Sequence, residues 1–269
     1  SAVNLIQHIN MTEFATDVHF TLNKGKRIPA LGLGTVPPED NAAAVKDQVI
    51  TAIKAGYRHI DTAWFYGSEK YVGQGIQEVI KEGIVKREDL FVTTKVWPSF
   101  WHNPAKSVDI SLKELQLEYV DLVLQHWPIC LHGDENGLPP IPKDDEGNIL
   151  YDDDPRTGKK FIDVYHALED LVETPKVKSV GVSNYSLPKI KELLPAVKKH
   201  VPVVNQIEYH PQLPQQDLVS FCENHGLLIT AYSPVGSGGA PVFMLPLVHQ
   251  LAENYNVYVI EIATSYHLF

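Results

Sequence analysis

The 269-residue sequence is poor in cysteine, with only Cys130 and Cys222. Two thiols cannot make a disulfide framework; they suit a reducing compartment, so the expected location is cytoplasmic. Positive charge is also short: 23 Lys+Arg against 33 Asp+Glu leave a net charge of −10. This balance argues against nucleic acid as a partner but leaves room for a small basic pocket around one phosphate. No apolar run approaches the roughly 18 residues of a membrane-spanning helix. Residues 1–10 lack Lys, Arg and a long apolar stretch, so they are not expected to be a secretory signal. Met11-Thr12 has the form of a native start, with residues 1–10 as leader or added sequence and residues 11–269 as a single domain. There is no H-E-x-x-H and no Cys/His spacing, so no metal site is expected.

What the chain does have is alternation. Short apolar β-rich runs at residues 30–35, 58–61, 90–96, 120–125, 179–183, 203–207 and 227–231 alternate with segments of helical spacing at 42–55, 69–82, 104–115, 161–173, 187–197, 215–225 and around 247–254 and 261–269. A small hairpin at 21–27, turning at Asn23-Lys24-Gly25, precedes them. Repeated strand–helix units predict a parallel sheet covered by helices. Gly32-Leu33-Gly34 lacks the third glycine of the dinucleotide fingerprint, which disfavours a doubly wound sheet and leaves a (β/α)8 TIM barrel. Residues 127–160 break the rhythm: they are rich in Pro, Gly and Asp, have no helical period, and predict a functional or mobile loop. Mobility without cofactor is expected of this loop and of residues 233–241.

In a barrel, chemistry sits at the C-terminal ends of the strands. Those ends carry Asp61 with Tyr66 in the next loop, Lys95 leading to Trp97, Gln125-His126-Trp127, Ser183-Asn184, Asn205-Gln206 and Tyr232-Ser233. Each has a plain structural use alone: Asp61 as a helix cap, Lys95 on the surface, His126 in the core, Tyr66 as packing. Together they point to proton transfer at an oxygen. A free phenol titrates near pH 10, too high for balanced acid–base work. A neighbouring ammonium stabilises the phenolate, and Asp61 would keep Lys95 protonated and oriented. His126 would hydrogen-bond the substrate oxygen. Such a site suits carbonyl–alcohol interconversion with an external hydride source. Ser183, Asn184 and Gln206 could hold a carboxamide, Tyr232 could stack on a flat ring, and residues 233–241 could cradle a pyrophosphate.

The stretches Gly56-Tyr57-Arg58-His59-Ile60-Asp61-Thr62-Ala63, Thr94-Lys95-Val96-Trp97, Asp121-Leu122-Val123-Leu124-Gln125-His126-Trp127-Pro128, Gly181-Val182-Ser183-Asn184, Asn205-Gln206-Ile207-Glu208 and Ala231-Tyr232-Ser233-Pro234 resemble the aldo-keto reductase superfamily along almost the whole chain. Arg27-Ile28-Pro29-Ala30-Leu31-Gly32-Leu33-Gly34-Thr35, Lys86-Arg87-Glu88-Asp89-Leu90-Phe91 and Gly236-Ser237-Gly238-Gly239-Ala240-Pro241 are most like its fungal NAD(P)-dependent D-arabinose dehydrogenases and aldehyde reductases. The resemblance implies a catalytic tetrad of Asp61, Tyr66, Lys95 and His126. It implies nicotinamide contacts at Ser183, Asn184, Gln206 and Tyr232, with Ser233, Val235 and Ser237 near the pyrophosphate. It also implies NADP(H) as preferred cofactor with NAD(H) as the alternative, and aldehydes, α-dicarbonyls and aldoses as substrates. Trp64, Trp97 and Trp127 are the expected substrate-pocket aromatics, and a monomer or weak dimer is expected.

The resemblance also brings differences. Family members continue into an eighth strand, a helix and a tail that contacts the adenosine 2′-phosphate, so a continuation past Phe269 is expected. Pro175 and Tyr258-Val259-Ile260 stand where relatives usually carry a Gly-Lys turn and a Pro-containing helix start. Two other functions fit the same fold class: a non-catalytic nicotinamide-binding regulatory subunit, and a glycosidase pairing Asp61 with Glu69. The intact tetrad weighs against the first. Glu69 reads as a first-turn helix acid, which weighs against the second.

Overall fold

The computed structural model describes residues 15–23, 25–38 and 41–267. The expectations for residues 1–10, Met11-Thr12, Lys24 and Phe269 lie outside the described residues. A hairpin of β1 (His19–Thr21) and β2 (Arg27–Pro29) comes first. Seven parallel strands follow in sequence order: β3 (Gly32–Gly34), β4 (His59–Asp61), β5 (Phe91–Val96), β6 (Leu122–Gln125), β7 (Val180–Ser183), β8 (Val204–Glu208) and β9 (Leu228–Tyr232). Helices α1 (Ala44–Lys54), α2 (Glu69–Lys81), α3 (Pro104–Leu115), α4 (Lys160–Val172), α5 (Leu187–Leu193) and α6 (Gln216–Asn224) occupy the successive crossovers. After β9 come α7 (Pro246–Tyr255) and α8 (Val259–Ser265). This is the TIM-barrel architecture, here seven parallel strands in a nearly closed barrel.

The seven predicted strand–helix units all form. The sequence gives no sign of the short 3-10 turn at Trp64–Tyr66, which follows β4 after Thr62 and Ala63 and ends at Gly67 with φ +65°. A left-handed residue there lets the chain reverse into α2, and glycine adopts it without a Cβ clash.

The core has an outer and an inner part. Outward-facing strand residues such as Val92 and Val96 pack under the helices, against Val72, Ile76 and Val79 of α2 and Val108 and Leu112 of α3. Gly73 makes the α2–α3 approach possible, because a Cβ there would lie 2.5 Å from the Leu115 carbonyl oxygen. Inside the barrel, Phe91, Leu122, Leu124 and Val204 meet Leu22 and Ile28 of the hairpin, which plugs the N-terminal end. Residues on a strand alternate between faces. The inward row of β5 therefore runs Phe91, Thr93, Lys95, from the apolar plug towards the open end. Thr93 Oγ1 meets His59 Nε2 at 3.0 Å between these two levels.

The 127–160 loop has no helix or regular strand before α4, as its composition predicts, but it is tied down. Asp134 Oδ1 accepts from the backbone N–H of Asn136 and Leu138 at 2.7 and 2.9 Å. Asp144 Oδ1 accepts in the same way from Glu146 and Asn148 at 3.0 and 2.8 Å. The loop is also stitched to the segment after β5: Ser99 Oγ donates to the Gly137 carbonyl at 2.8 Å, and Trp101 Nε1 to Asp152 Oδ2 at 2.8 Å. The Asp-rich composition therefore supplies turn-forming acceptors, and the loop expected to be mobile is held at several points.

Candidate active site

The strand ends converge on a cavity of about 730 Å³ at the C-terminal end of the barrel. Asp61, Tyr66, Trp97, His126, Trp127, Ser183, Asn184, Gln206, Tyr232 and Ser233 all line it. β5 and β6 bring Lys95 and His126 side by side, because Lys95 pairs with Leu124 and His126 follows β6 directly.

Lys95 is the centre of the polar network. Its ammonium bonds Asp61 Oδ1, donates to the Thr62 carbonyl at 3.0 Å, and approaches the Tyr66 hydroxyl at 3.2 Å. Its side chain is fully buried and that of Asp61 is 14% exposed, so the pair stands away from bulk water. Burial alone would lower the Lys95 ammonium, but the Asp61 carboxylate and the Tyr66 phenol outweigh it and hold it above its ordinary value. Gln206 Nε2 donates to the other Asp61 oxygen at 2.6 Å, which fixes the carboxylate from the opposite side of the barrel.

Tyr66 departs from the sequence expectation. Burial pushes its phenol above the ordinary value, and the Lys95 ammonium offsets this only in part. A neighbouring charge was expected to dominate; desolvation is the larger effect here. His126 is held well below its ordinary value, chiefly by burial and then by Lys95, so it is neutral at pH 7. Its Nδ1 has no partner among the described residues. A buried ring nitrogen without a partner is better left as an acceptor than as a donor, which favours the proton on Nε2.

The rim is a second hydrogen-bonded set. Ser183 Oγ donates to the Gln206 carbonyl at 2.9 Å. Asn184 Nδ2 donates to the His126 carbonyl at 3.0 Å, and the Tyr232 hydroxyl donates to Asn184 Oδ1 at 2.7 Å. Asn184 and Ser233 follow β7 and β9 directly and take left-handed backbone conformations, φ 61° and φ 49°. Strain of this kind in non-glycine residues clusters at functional sites.

Not every predicted pocket residue lines the cavity. Trp64 packs edge-on against Phe100 with ring centroids 4.9 Å apart and is replaced at the cavity by Phe65. Phe65 stacks on Trp97 at 3.7 Å and 11°. Sequence reasoning missed Phe65 because only the 3-10 turn decides which of three consecutive aromatics faces inward. Val235 packs with Val242 and Val248 beneath the rim, and neither Val235 nor Ser237 lines the cavity. Glu69 does not line it either; it lies on the outer side of β5, which removes the carboxylate pair a glycosidase would need.

The chain matches known proteins over most of its length. The model of the aldo/keto reductase family matches residues 30–268. D-galacturonate reductase of Hypocrea jecorina is 41% identical over 251 residues, covering 93% of this chain and 78% of that protein. Glycerol 2-dehydrogenase (NADP(+)) of Saccharomyces cerevisiae is 41% identical over 252 residues, covering 92% and 78%. Among solved structures, the aldose reductase from Schistosoma japonicum superposes with a TM-score of 0.82 at 33% identity, covering 93% of this chain and 79% of that one. With its barrel and strand-end residues in place, the chain belongs to the aldo/keto reductase family of oxidoreductases.

Proposed function

We propose that this protein is an NADP(H)-dependent reductase that interconverts carbonyls and alcohols, with Tyr66 as the general acid in reduction and the general base in oxidation. The observation that carries the proposal is the Tyr66–Lys95–Asp61 chain at the cavity floor, beside a neutral His126. A bound nicotinamide would supply or accept the hydride. Ser183, Asn184, Gln206 and Tyr232 fit its ring and carboxamide: they combine donors, acceptors and an aromatic face on the cavity wall. The loop after Ser233 fits a pyrophosphate through its backbone N–H groups, with Val235 and Ser237 contributing main chain or hydroxyl rather than cavity wall.

In reduction, Tyr66 gives its proton to the substrate oxygen as hydride reaches the carbon. The phenolate left behind sits 3.2 Å from the Lys95 ammonium, which stays protonated because Asp61 holds it so. His126, with its proton on Nε2, orients the same oxygen. The raised phenol keeps Tyr66 loaded with its proton at neutral pH, which favours reduction there and oxidation at higher pH. Phe65, Trp97 and Trp127 give the substrate side an aromatic wall suited to aldehydes, α-dicarbonyls and aldoses. Buried Cys130 and Cys222 are free thiols, which fits a cytoplasmic protein. A single barrel domain, acting as a monomer or weak dimer, completes the proposal.

Initial rates with NADPH and NADH across aldehydes, α-dicarbonyls, aldoses, D-galacturonate and glycerol test it. The expected result is carbonyl-dependent NADPH oxidation. Tight NADPH binding with no turnover of any carbonyl would overturn it in favour of a regulatory nicotinamide-binding subunit.

A further inference from the structure

Among the described residues, two carboxyls are buried outside the proposed proton-transfer chain, and they are held differently. Glu169 on α4 accepts from the backbone N–H groups of Lys198, Lys199 and His200 at 3.1, 2.6 and 2.7 Å. Backbone N–H groups only donate, so that site calls for acceptor oxygens. Glu69, the first residue of α2, is held by hydroxyls: Thr94 Oγ1 of β5 at 2.5 Å and the Ser111 side chain of α3. A hydroxyl donates or accepts, so the Glu69 site accommodates either protonation state.

The position of Glu69 gives this freedom a consequence. It stands three residues after Tyr66, past the Gly67 reversal, and its carboxyl is tied to the residue next to Lys95. Ser68 makes a parallel anchor, donating to the Thr35 carbonyl at 2.8 Å. The Tyr66 turn and the Lys95 strand therefore meet twice: inside the barrel through phenol and ammonium, outside it through Glu69 and Thr94. We infer that Glu69 is a positioning residue whose carboxyl sets the approach of Tyr66 to Lys95, so that gain or loss of its proton changes the rate of the reaction.

This inference rests on the reading of Tyr66 as the acid–base group. The titration falls in the working range: burial pushes Glu69 up to about 7, against the pull of the Thr94 and Ser111 hydroxyls, with Glu114 of α3 adding to the rise and Lys95 of β5 opposing it.

The test compares kcat for aldehyde reduction at saturating NADPH in wild type, Glu69→Gln, Thr94→Val and Tyr66→Phe, from about pH 5.5 to 8.5. Wild type should show an inflection near neutrality. Glu69→Gln should lose it, with KM for NADPH unchanged. Thr94→Val removes a donor that favours the carboxylate, so the inflection should move to higher pH. Infrared titration of the full chain should show a buried carboxyl losing its proton through the same range in wild type and Tyr66→Phe. A wild-type inflection in Glu69→Gln, beside an inactive Tyr66→Phe, overturns this inference alone. Full turnover by Tyr66→Phe overturns the acid–base reading and this inference with it. If Glu69→Gln does not fold, an unmoved inflection in Thr94→Val, or no carboxyl titrating near neutrality in the infrared, overturns the role of Glu69.

Discussion

The two halves of the sheet differ in their exposure to water. Every residue of β5, β6 and β7 is buried, whereas all five residues of β9 are half-buried and β3 is open on both outer positions. The sealed half holds Lys95 and the carbonyls and hydroxyls that fix its neighbours. The open half carries Tyr232, Ser233 and the glycine-rich loop. A fixed, dry network suits proton transfer. β3 and β9 are the two edges of the seven-stranded sheet, with no strand on their outer side among the described residues, and that accounts for their exposure to water.

Substitutions in the sealed half should give the largest effects. Tyr66→Phe should lower kcat by at least about 100-fold while leaving NADPH affinity unchanged, measured by steady-state kinetics and fluorescence titration. Near wild-type turnover would remove Tyr66 from its role. Lys95→Met removes the positive charge that lowers the phenol, so the alkaline limb of alcohol oxidation should move to higher pH. A raised KM with an unmoved profile would make Lys95 a binding residue instead.

Glu69 predicts a smaller effect on stability. Its native value lies above that of the unfolded chain, so between the two the native state binds the extra proton and stability falls as pH rises. The loss should be complete above pH 7 and on the order of 3 kcal/mol. Urea unfolding of wild type and Glu69→Gln across that range should show the fall only in wild type. The smallest expected signal separates the two loops. Saturating NADPH should slow hydrogen exchange in residues 233–241 more than in 127–160, because the latter is already tied to Ser99 and Trp101. Equal protection of both loops would erase the contrast between the halves.

Much of this was legible in the residue order. Strand ends name the polar groups of the cavity because a βα repeat places every strand's C-terminus on one face. Three things were not legible. The inward choice of Phe65 over Trp64 depends on a three-residue turn, where a shift of one residue swaps the faces. The rise of the Tyr66 phenol depends on how much water burial removes, which spacing does not encode. The Gln206–Asp61 hydrogen bond joins residues 145 positions apart, and only the curvature of the sheet brings them together.

The narrow passage at Gly73 bears on how this enzyme can diverge. Gly73 lies one helical turn beyond Glu69, with the Leu115 carbonyl 2.5 Å from where a methyl group would sit. A single added carbon would push α2 away from α3 and carry the Tyr66 turn with it. New specificities should therefore accumulate in the loops at 127–160 and 233–241, which can vary without moving that helix. A mutagenized population selected on foreign aldehydes should show the same restriction: dense change around the cavity mouth, and silence along the buried face of α2.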